Sequence, residues 1–326
     1  MSVRKSGARD GRLISAPAAA AVLVMAAAAA LGCTASAVTP SASPSGPSGS
    51  SGPSGSSGPS GPSGTLSGRP SQAPDGSVGG FLSGSSSDVR GATGRRWRPV
   101  VGTTWQWQLS VPVDLRVDVP VYDIDGFTND AAVVRRLHRL GRRAICYINV
   151  GAAENYRPDY KRFPPRVLGR PNGWPGERWL DIRRVDVLRP IMAARFDMCR
   201  SKGFDAVEPD LVENYTETTG FPLTAAHQLT YNRLIAALAH ERGMSVGLKN
   251  DLDQVGALRK DFDFAINEEC VQFGECRVLT TFIKAGKAVL HVEYRLSIDK
   301  FCPVTKPLRF SSMRKRLTLD AWRQPC

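Results

Sequence analysis

From about residue 94 to the end of the chain, short apolar runs alternate with longer amphipathic stretches. A short continuous apolar run predicts a strand that is buried on both faces, and an apolar stripe at helical spacing predicts a helix. The predicted strands cover residues 103–109, 119–125, 143–151, 204–210, 244–251, 262–269, 287–294 and 308–313. The clearest predicted helices cover residues 130–141, 185–203 and 223–243, and each of them ends at a glycine.

Eight strands that alternate with helices predict a parallel sheet covered by helices. Eight is also the number of strands that closes a TIM-like (β/α)8 barrel. The competing architecture is an open doubly wound sheet that binds a dinucleotide, and it lacks support because no G-x-G-x-x-G motif follows the first predicted strand. We therefore expect residues 94–326 to form one TIM-barrel domain.

Nearly every predicted strand ends in polar side chains. The stretch GFDAVEPDLVENY, for example, runs from a predicted buried strand into Glu208, Asp210 and Glu213. The carboxyl ends of TIM-barrel strands form one face, and this face carries the active site. Turn formation and helix capping explain single residues such as Asp125 and Asp251, but they do not explain the whole set. From the set we predict that substrate is bound by Trp105, Asp123, Tyr147, Asn149, Glu208, Lys249, Asn250, Glu269, Glu293 and Tyr294.

Paired carboxylates at such a face point to glycoside hydrolysis. One carboxylic acid protonates the leaving oxygen, while the other carboxylate attacks the anomeric carbon or activates water. The aromatic and amide side chains nearby suit sugar rings, which offer both hydroxyls and apolar faces. Two alternatives stay open: a surface carbohydrate-binding protein that has lost catalysis, and a metal-dependent hydrolase or deacetylase. The latter needs a cluster of ligands, whereas the four histidines are scattered singly along the chain.

Seven motifs occur in order between residues 103 and 294: WQWQL, YDIDGF, CYINVGAAENYRPD, GFDAVEPDLVENY, GLKND, FAINEECVQFGEC and VLHVEY. Together they resemble glycoside hydrolase family 114, the endo-α-1,4-polygalactosaminidase family. The resemblance implies a TIM-barrel-like fold and hydrolysis of α-1,4-linked galactosamine polymers. It also implies a catalytic aspartate in the EPD motif and a catalytic glutamate in the NEEC motif, which are Asp210 and Glu268 here. The family pattern places the glutamate directly after the asparagine, which favours Glu268 over Glu269.

The first 93 residues differ in composition from the rest of the chain. Residues 1–32 combine a basic start with an apolar run, the pattern of an export signal, and the string ALGC places Cys33 as the lipidated residue of a lipoprotein. Cleavage within the string TASA followed by secretion, or a retained membrane anchor, are the alternatives. Residues 33–93 are mostly Ser, Gly and Pro and predict a disordered tether. We expect an extracellular protein, anchored to the outer face of the cell membrane through lipid, or secreted.

Beyond Cys33 the chain has six cysteines, an even number that favours disulfides in an oxidising compartment. Of the fifteen possible pairings, we predict that neighbours pair: Cys146–Cys199, Cys270–Cys276 and Cys302–Cys326. No C-x-x-C motif occurs, and we predict neither a metal nor a cofactor. The net charge of +13 comes partly from the first residues and partly from basic helix faces. No nucleic-acid-binding motif accompanies this charge, so we expect a polysaccharide partner, no nucleic acid, and a monomeric chain.

Overall fold

The structure, a computed structural model, describes residues 96–326 and consists there of twelve strands and six α-helices with their connections. The strands are β1 (Trp105–Gln108), β2 (Val121–Asp125), β3 (Arg143–Asn149), β4 (Ala152–Glu154), β5 (Leu168–Pro171), β6 (Glu177–Leu180), β7 (Ala206–Asp210), β8 (Ser245–Lys249), β9 (Phe264–Glu268), β10 (Val289–Glu293), β11 (Ser311–Arg314) and β12 (Gln324–Pro325). The helices are α1 (Ala131–Arg139), α2 (Val185–Lys202), α3 (Ala225–Glu241), α4 (Val255–Leu258), α5 (Cys276–Lys284) and α6 (Ile298–Thr305).

All eight strands predicted from the sequence are present, and they run parallel to one another. They are hydrogen-bonded in the order β1, β2, β3, β7, β8, β9, β10 and β11, so the order of these strands in the sheet is the same as their order in the chain. The short strand β12 adds to β11 in the antiparallel direction. The prediction of a TIM-like (β/α)8 barrel is confirmed by this curled sheet.

Apolar side chains fill two regions on opposite faces of the sheet. One core lies between the sheet and the helices, where Val134 and Leu137 of α1 are fully buried. The other core fills the inside of the barrel and includes the ring of Phe264. A Cβ atom on Gly247 would lie 2.6 Å from that ring. The ring therefore occupies the barrel interior because residue 247 has no side chain.

The first and last strands of the barrel meet at a junction that we call the seam. The Trp105 Nε1–H group donates a hydrogen bond to the Ser311 carbonyl oxygen at 2.8 Å, which joins β1 to β11. The Leu109 N–H group donates to the Leu319 carbonyl oxygen at 3.0 Å, which joins the end of β1 to the C-terminal tail. The seam is therefore held by a side chain and by the tail, whereas the other neighbouring strands are joined by backbone ladders.

A three-stranded antiparallel sheet, which the sequence patterns did not predict, follows β3 in the chain with the order β4-β6-β5. We call residues 152–180 the insert. A buried set of ion pairs joins the insert to the barrel, and we call its members Asp125, Glu154, Arg157, Asp159 and Arg195 the insert network. Arg157 donates to Asp125 Oδ1 at 3.0 Å and to Glu154 Oε1 at 2.8 Å. Arg195 donates to both Asp159 oxygens, at 2.8 and 3.0 Å, and lies 3.4 Å from Glu154 Oε2.

The predicted pairing of neighbouring cysteines is confirmed, because disulfides join Cys146 to Cys199, Cys270 to Cys276 and Cys302 to Cys326. Three disulfides are consistent with an oxidising compartment outside the cytoplasm. The export signal in residues 1–32, the lipidation of Cys33 and the tether in residues 33–93 lie outside the described residues and remain predictions. Within residues 96–326, none of the helices has both the length and the apolar character that crossing a membrane requires.

Candidate active site

Lys249 lies at the centre of the carboxyl ends of the barrel strands. Its Nζ atom is 2.9 Å from Asp210 Oδ1, 3.1 Å from Glu208 Oε1 and 3.2 Å from Glu268 Oε2. We call these four residues, which come from β7, β8 and β9, the barrel-mouth cluster. The Lys249 side chain is 4% exposed, while Asp210 and Glu268 are 16% and 26% exposed. The two predicted catalytic carboxylates therefore flank one buried ammonium group and remain open to solvent.

Phenol and amide groups fix the two accessible carboxylates from their other sides. The Tyr147 hydroxyl donates to Asp210 Oδ2 at 2.7 Å. The Tyr294 hydroxyl donates to Glu268 Oε1, and Asn250 Nδ2 donates to Glu268 Oε2 at 3.2 Å. Each carboxylate thus has one oxygen on Lys249 and the other on a tyrosine, so its orientation is set before any substrate binds.

The backbone bends sharply just after each strand that supplies the cluster. Leu211 follows β7 with a φ of 59°, Asn250 follows β8 with a φ of 46°, and Glu269 follows β9 with a φ of 58°. A left-handed conformation costs a residue with a side chain roughly 1–2 kcal/mol. Strain of this kind persists where the surrounding structure holds it, and it gathers at functional sites. These three turns lie directly beside Asp210, Lys249 and Glu268.

The charges of the cluster support one another. Burial raises the pKa of Asp210, but the Lys249 ammonium and the hydrogen bonds from Lys249 and Tyr147 outweigh it and bring that pKa below its ordinary value. Burial opposes the charge of Lys249, yet Asp210, Glu268 and Glu208 together raise the pKa of its ammonium well above the ordinary value. Asp210 is therefore ionised, and Lys249 is positively charged, at neutral pH.

A second pair of carboxyl groups lies beneath the cluster, inside the barrel. Asp123 and Glu208 are both 0% exposed, and within residues 96–326 none of their four oxygens has a hydrogen-bond donor of suitable geometry. Burial raises the pKa of Glu208 to about 7 despite the opposing effect of Lys249. Burial and the neighbouring Glu208 raise the pKa of Asp123 well above its ordinary value. Burial and the repulsion between the two groups therefore favour the protonated form of Asp123.

Two connected cavities open on the barrel-mouth cluster. The first has a volume of about 310 Å³ and contains Asp210, Lys249 and Glu268 together with Trp174 and Glu177 of the insert. The second has a volume of about 440 Å³ and shares Glu268 with the first. It is lined by six carboxylates, and none of its lining residues, all within 96–326, is basic. The six are Glu213, Asp251, Asp253, Glu268, Glu269 and Glu275. The space beside Glu268 is therefore strongly acidic.

Five of the ten residues predicted to bind substrate line these cavities, namely Tyr147, Lys249, Asn250, Glu269 and Tyr294. The other five are at most 1% exposed and line neither cavity, namely Trp105, Asp123, Asn149, Glu208 and Glu293. Direct contact of these five with substrate stays a prediction, since strand alternation fixes the face of a side chain but not its depth.

The buried residues among the ten contact other parts of the site. The ring of Trp105 stacks on that of Trp107, which lines the first cavity, with the centroids 6.0 Å apart. Asn149 Oδ1 accepts hydrogen bonds from the backbone of the turn after β3, at 3.1 and 2.8 Å. Glu293 Oε1 accepts from the Val271 N–H group at 2.8 Å and so holds the loop that follows Glu269.

Sequence reasoning missed the contributions of Trp174 and Glu177 to the first cavity, and those of Glu213 and Asp251 to the second. The insert lacks strong apolar periodicity, which hid the first two residues. The string PNGWPG around Trp174 is the available signal, because a tryptophan between turn-forming residues is exposed unless something covers it.

The residues from 96 to 326 contain one group of possible metal ligands, Cys270, Cys276 and His291, whose ligand atoms lie within 4.8 Å of one another. The two sulfur atoms are joined in a disulfide. A metal would require them as thiolates, so the oxidised protein does not provide these ligands.

Comparison with known proteins places this site in a family. The model of glycoside-hydrolase family GH114 matches residues 86–326. The crystal structure of Aspergillus fumigatus Ega3 in complex with galactosamine is similar, with 38% identity and a TM-score of 0.68, over 72% of this chain and 99% of Ega3.

Two further relatives are more distant. The glycoside hydrolase domain of PelA from Pseudomonas aeruginosa shares the fold, with a TM-score of 0.53 and 11% identity over 68% of this chain and 96% of that domain. An uncharacterized protein from Deinococcus radiodurans is 33% identical over 134 residues, which span 39% of this chain and 42% of that protein.

Proposed function

The chain belongs to glycoside hydrolase family GH114, and we propose that this glycoside hydrolase cleaves an amino-sugar polysaccharide of the α-1,4-linked galactosamine type. One observation carries the proposal: Lys249 holds Asp210 and Glu268 side by side at the mouth of the barrel, at 2.9 and 3.2 Å. Two carboxyl groups held in this way at an open cavity are the catalytic equipment of a glycosidase.

Asp210 acts as the ionised carboxylate that faces the anomeric carbon, since Lys249 and Tyr147 favour its charged form. Glu268 donates the proton to the leaving oxygen. The contacts of 2.9 and 3.2 Å to a common nitrogen keep one oxygen of each carboxylate within about 6 Å of the other. Carboxyl groups about 5–5.5 Å apart are typical of retaining enzymes, and those about 6.5–9.5 Å apart are typical of inverting ones. This upper limit is compatible with the closer spacing, and we propose retention with Asp210 as the nucleophile.

The charge around the catalytic pair supports a cationic sugar. The chain as a whole carries a net charge of +13, which repels a polycation. The second cavity, however, is lined by six acidic side chains and no basic residue. Burial raises the pKa of Asp251 to about 8, but those of the six that are ionised lie close to the bound sugar and act more strongly than distant, screened charges. The related Ega3 structure contains galactosamine. An ammonium group on the bound sugar would place its charge among these carboxylates.

The proposal is tested by incubating the purified protein with galactosamine-containing α-1,4-glycans and with a panel of neutral and acidic glycans. The masses of the products show which linkage is cut, and Asp210→Asn serves as the inactive control. We expect oligosaccharides of galactosamine from the first set only. Cleavage of the neutral glycans instead would show that the assignment of an amino sugar is wrong.

A non-catalytic carbohydrate-binding protein on the same barrel is the alternative function, and it predicts binding of the same polymers without any product. Export, lipidation of Cys33 and the tether in residues 33–93 complete the proposal, and they would hold the domain of residues 94–326 outside the cell membrane. Mass spectrometry of membrane-extracted protein tests this part, because a mature N-terminus at Val38 without lipid would contradict the anchor.

A further inference from the structure

The insert presents an exposed indole at the edge of the first cavity. Trp174 lies in the loop between β5 and β6 and is 61% exposed. The backbone N–H group of Trp174 donates to Asn172 Oδ1 at 3.0 Å, and its backbone carbonyl oxygen accepts from the Glu177 N–H group at 3.2 Å. The loop is closed by Gly173 and Gly176, whose φ angles of 97° and 83° suit glycine. The backbone of this loop is thus fixed, while one face of its largest apolar side chain stays open.

A carboxylate without a cationic partner lies beside this indole. Glu177 accepts hydrogen bonds from three neutral groups: the Tyr156 hydroxyl at 2.9 Å, Asn172 Nδ2 at 2.9 Å and Asn149 Nδ2 at 3.2 Å. Within the described part of the chain, no lysine, arginine or histidine nitrogen lies within 4.0 Å of its oxygens. The side chain is therefore well oriented, and its negative charge is available to a cation from outside.

Trp174 and Glu177 belong to the same cavity as the catalytic pair. Both line the space of about 310 Å³ that also contains Asp210, Lys249 and Glu268. Asn149, which donates to Glu177, lies opposite Asp210 in the register between β3 and β7. A polymer bound with one glycosidic bond at Asp210 therefore has the insert within its path.

We propose that Trp174 and Glu177 form a further sugar subsite, which binds a hexosamine unit of the substrate chain next to the unit that reacts. Trp174 stacks on the apolar face of the sugar ring, and Glu177 accepts a hydrogen bond from its ammonium group. Aromatic faces give apolar contact area at a small entropic cost, and charge-assisted hydrogen bonds add selectivity for the free amine. This inference rests on the proposed function and specifies which sugar chemistry the insert recognises.

The test compares Trp174→Ala, Trp174→Phe and Glu177→Gln with the wild-type protein on long galactosamine polymer, on the same polymer after N-acetylation, and on a short oligosaccharide. Leu140→Ala is the matched control, because Leu140 is 50% exposed at the end of α1 and lines neither cavity. The kcat and KM values are measured separately, and Tm values show whether each variant keeps its fold.

We expect Trp174→Ala to raise the KM for the long polymer about tenfold with little change in kcat, and Trp174→Phe to restore most of the affinity. Glu177→Gln should raise the KM for the free-amine polymer and leave the acetylated polymer unaffected. If the wild type cleaves the polymer and both Trp174→Ala and Glu177→Gln keep its KM, the subsite is refuted and the proposed function stands. If the wild type neither cleaves nor binds an amino-sugar polymer, the proposed function fails, and the subsite fails with it.

Discussion

The barrel-mouth cluster and the insert network both hold carboxylates around buried basic side chains, but they balance the negative charge differently. In the insert network, the guanidinium groups of Arg157 and Arg195 donate to Asp125, Glu154 and Asp159. In the barrel-mouth cluster, the single ammonium of Lys249 serves three carboxylates. The oxygens of Glu208 have no hydrogen bond of good geometry within residues 96–326.

This difference separates a structural group of charges from a functional one. Buried polar groups that only support the fold are usually all hydrogen-bonded, because a buried group without a hydrogen-bond partner destabilises the folded state. An excess of negative charge at an open cavity is typical of a functional site, where a bound cationic ligand can neutralise it. Substitutions in the two regions should therefore affect different properties: activity in the barrel-mouth cluster, and stability in the insert network.

The largest effect is expected from Asp210→Asn and Glu268→Gln in the barrel-mouth cluster. Each removes a group proposed to act on the reacting bond, so kcat should fall by about a thousandfold or more. The Tm should change little, because both side chains reach solvent and both replacements keep their shape. Turnover on the polymer and a thermal melt give the two values. If neither variant loses activity, the interpretation of this barrel as a two-carboxylate hydrolase is wrong.

The next effect concerns the insert network. Arg195→Met leaves Asp159 without its cationic partner and Glu154 with Arg157 alone, and we expect the free energy of unfolding to fall by about 3–5 kcal/mol. Urea denaturation measures this change. Arg189→Met is the matched control on the same helix, since Arg189 and its partner Glu241 are 55% and 51% exposed. Exposed pairs contribute about 0–1 kcal/mol. Equal destabilisation by the two variants would contradict a special role for the buried network.

A smaller effect concerns the pH dependence of stability. Burial, and then the neighbouring Glu213, raise the pKa of Asp251 to about 8 from an unfolded value of 3.8. Between these values the folded protein binds more protons than the unfolded chain. The contribution of this group to the free energy of unfolding therefore decreases as pH rises from about 4 to about 8. Asp251→Asn removes that dependence, so its Tm should fall less than the wild-type Tm over this range.

Thermal melts at several pH values check this expectation. Asp118→Asn replaces a fully exposed carboxylate that does not contribute to the raised pKa of Asp251, and it should leave the wild-type pH dependence unchanged. If the Tm of Asp251→Asn falls with pH as steeply as the wild-type Tm, other buried acids such as Glu213 carry the effect.

The smallest effect is expected from Glu269→Gln. Its carboxyl lines the second cavity, but the left-handed turn at Glu269 separates it from the contacts that hold Glu268 to Lys249 and Tyr294. We expect kcat to fall less than tenfold, in contrast with Glu268→Gln. Parallel assays of the two variants decide the assignment. If Glu269→Gln abolishes turnover and Glu268→Gln does not, the wrong glutamate has been chosen as the acid.

The sequence predicted the eight barrel strands because strands buried on both faces are apolar throughout and end in polar residues. The same reasoning brought Asp210, Lys249 and Glu268 to one face. It could not give the depth of a side chain: Trp105 and Trp107 share a face, yet only Trp107 reaches the cavity.

The insert was missed because its strands are short, and β5 and β6 contain arginines, proline or glutamate. They form through pairing with each other and through the insert network, and both depend on contacts between distant residues. The acidic character of the second cavity was hidden for a similar reason. Glu213, Asp251 and the pair Glu269 and Glu275 come from three separate loops, and only the closed barrel brings them together.

The contacts at the seam can form only late in the synthesis of this protein. Trp105 is hydrogen-bonded to Ser311, which lies 206 residues later in the chain, and Leu109 is hydrogen-bonded to Leu319 in the tail. A nascent chain can pair β1 with β2, and β2 with β3, early, but β1 keeps an open edge until Ser311 and Leu319 have been synthesised. Contacts between such distant residues slow folding and leave unpaired edges exposed meanwhile. The step that completes the barrel is therefore the arrival of the C-terminal segment, and the disulfide between Cys302 and Cys326 then keeps that segment in place.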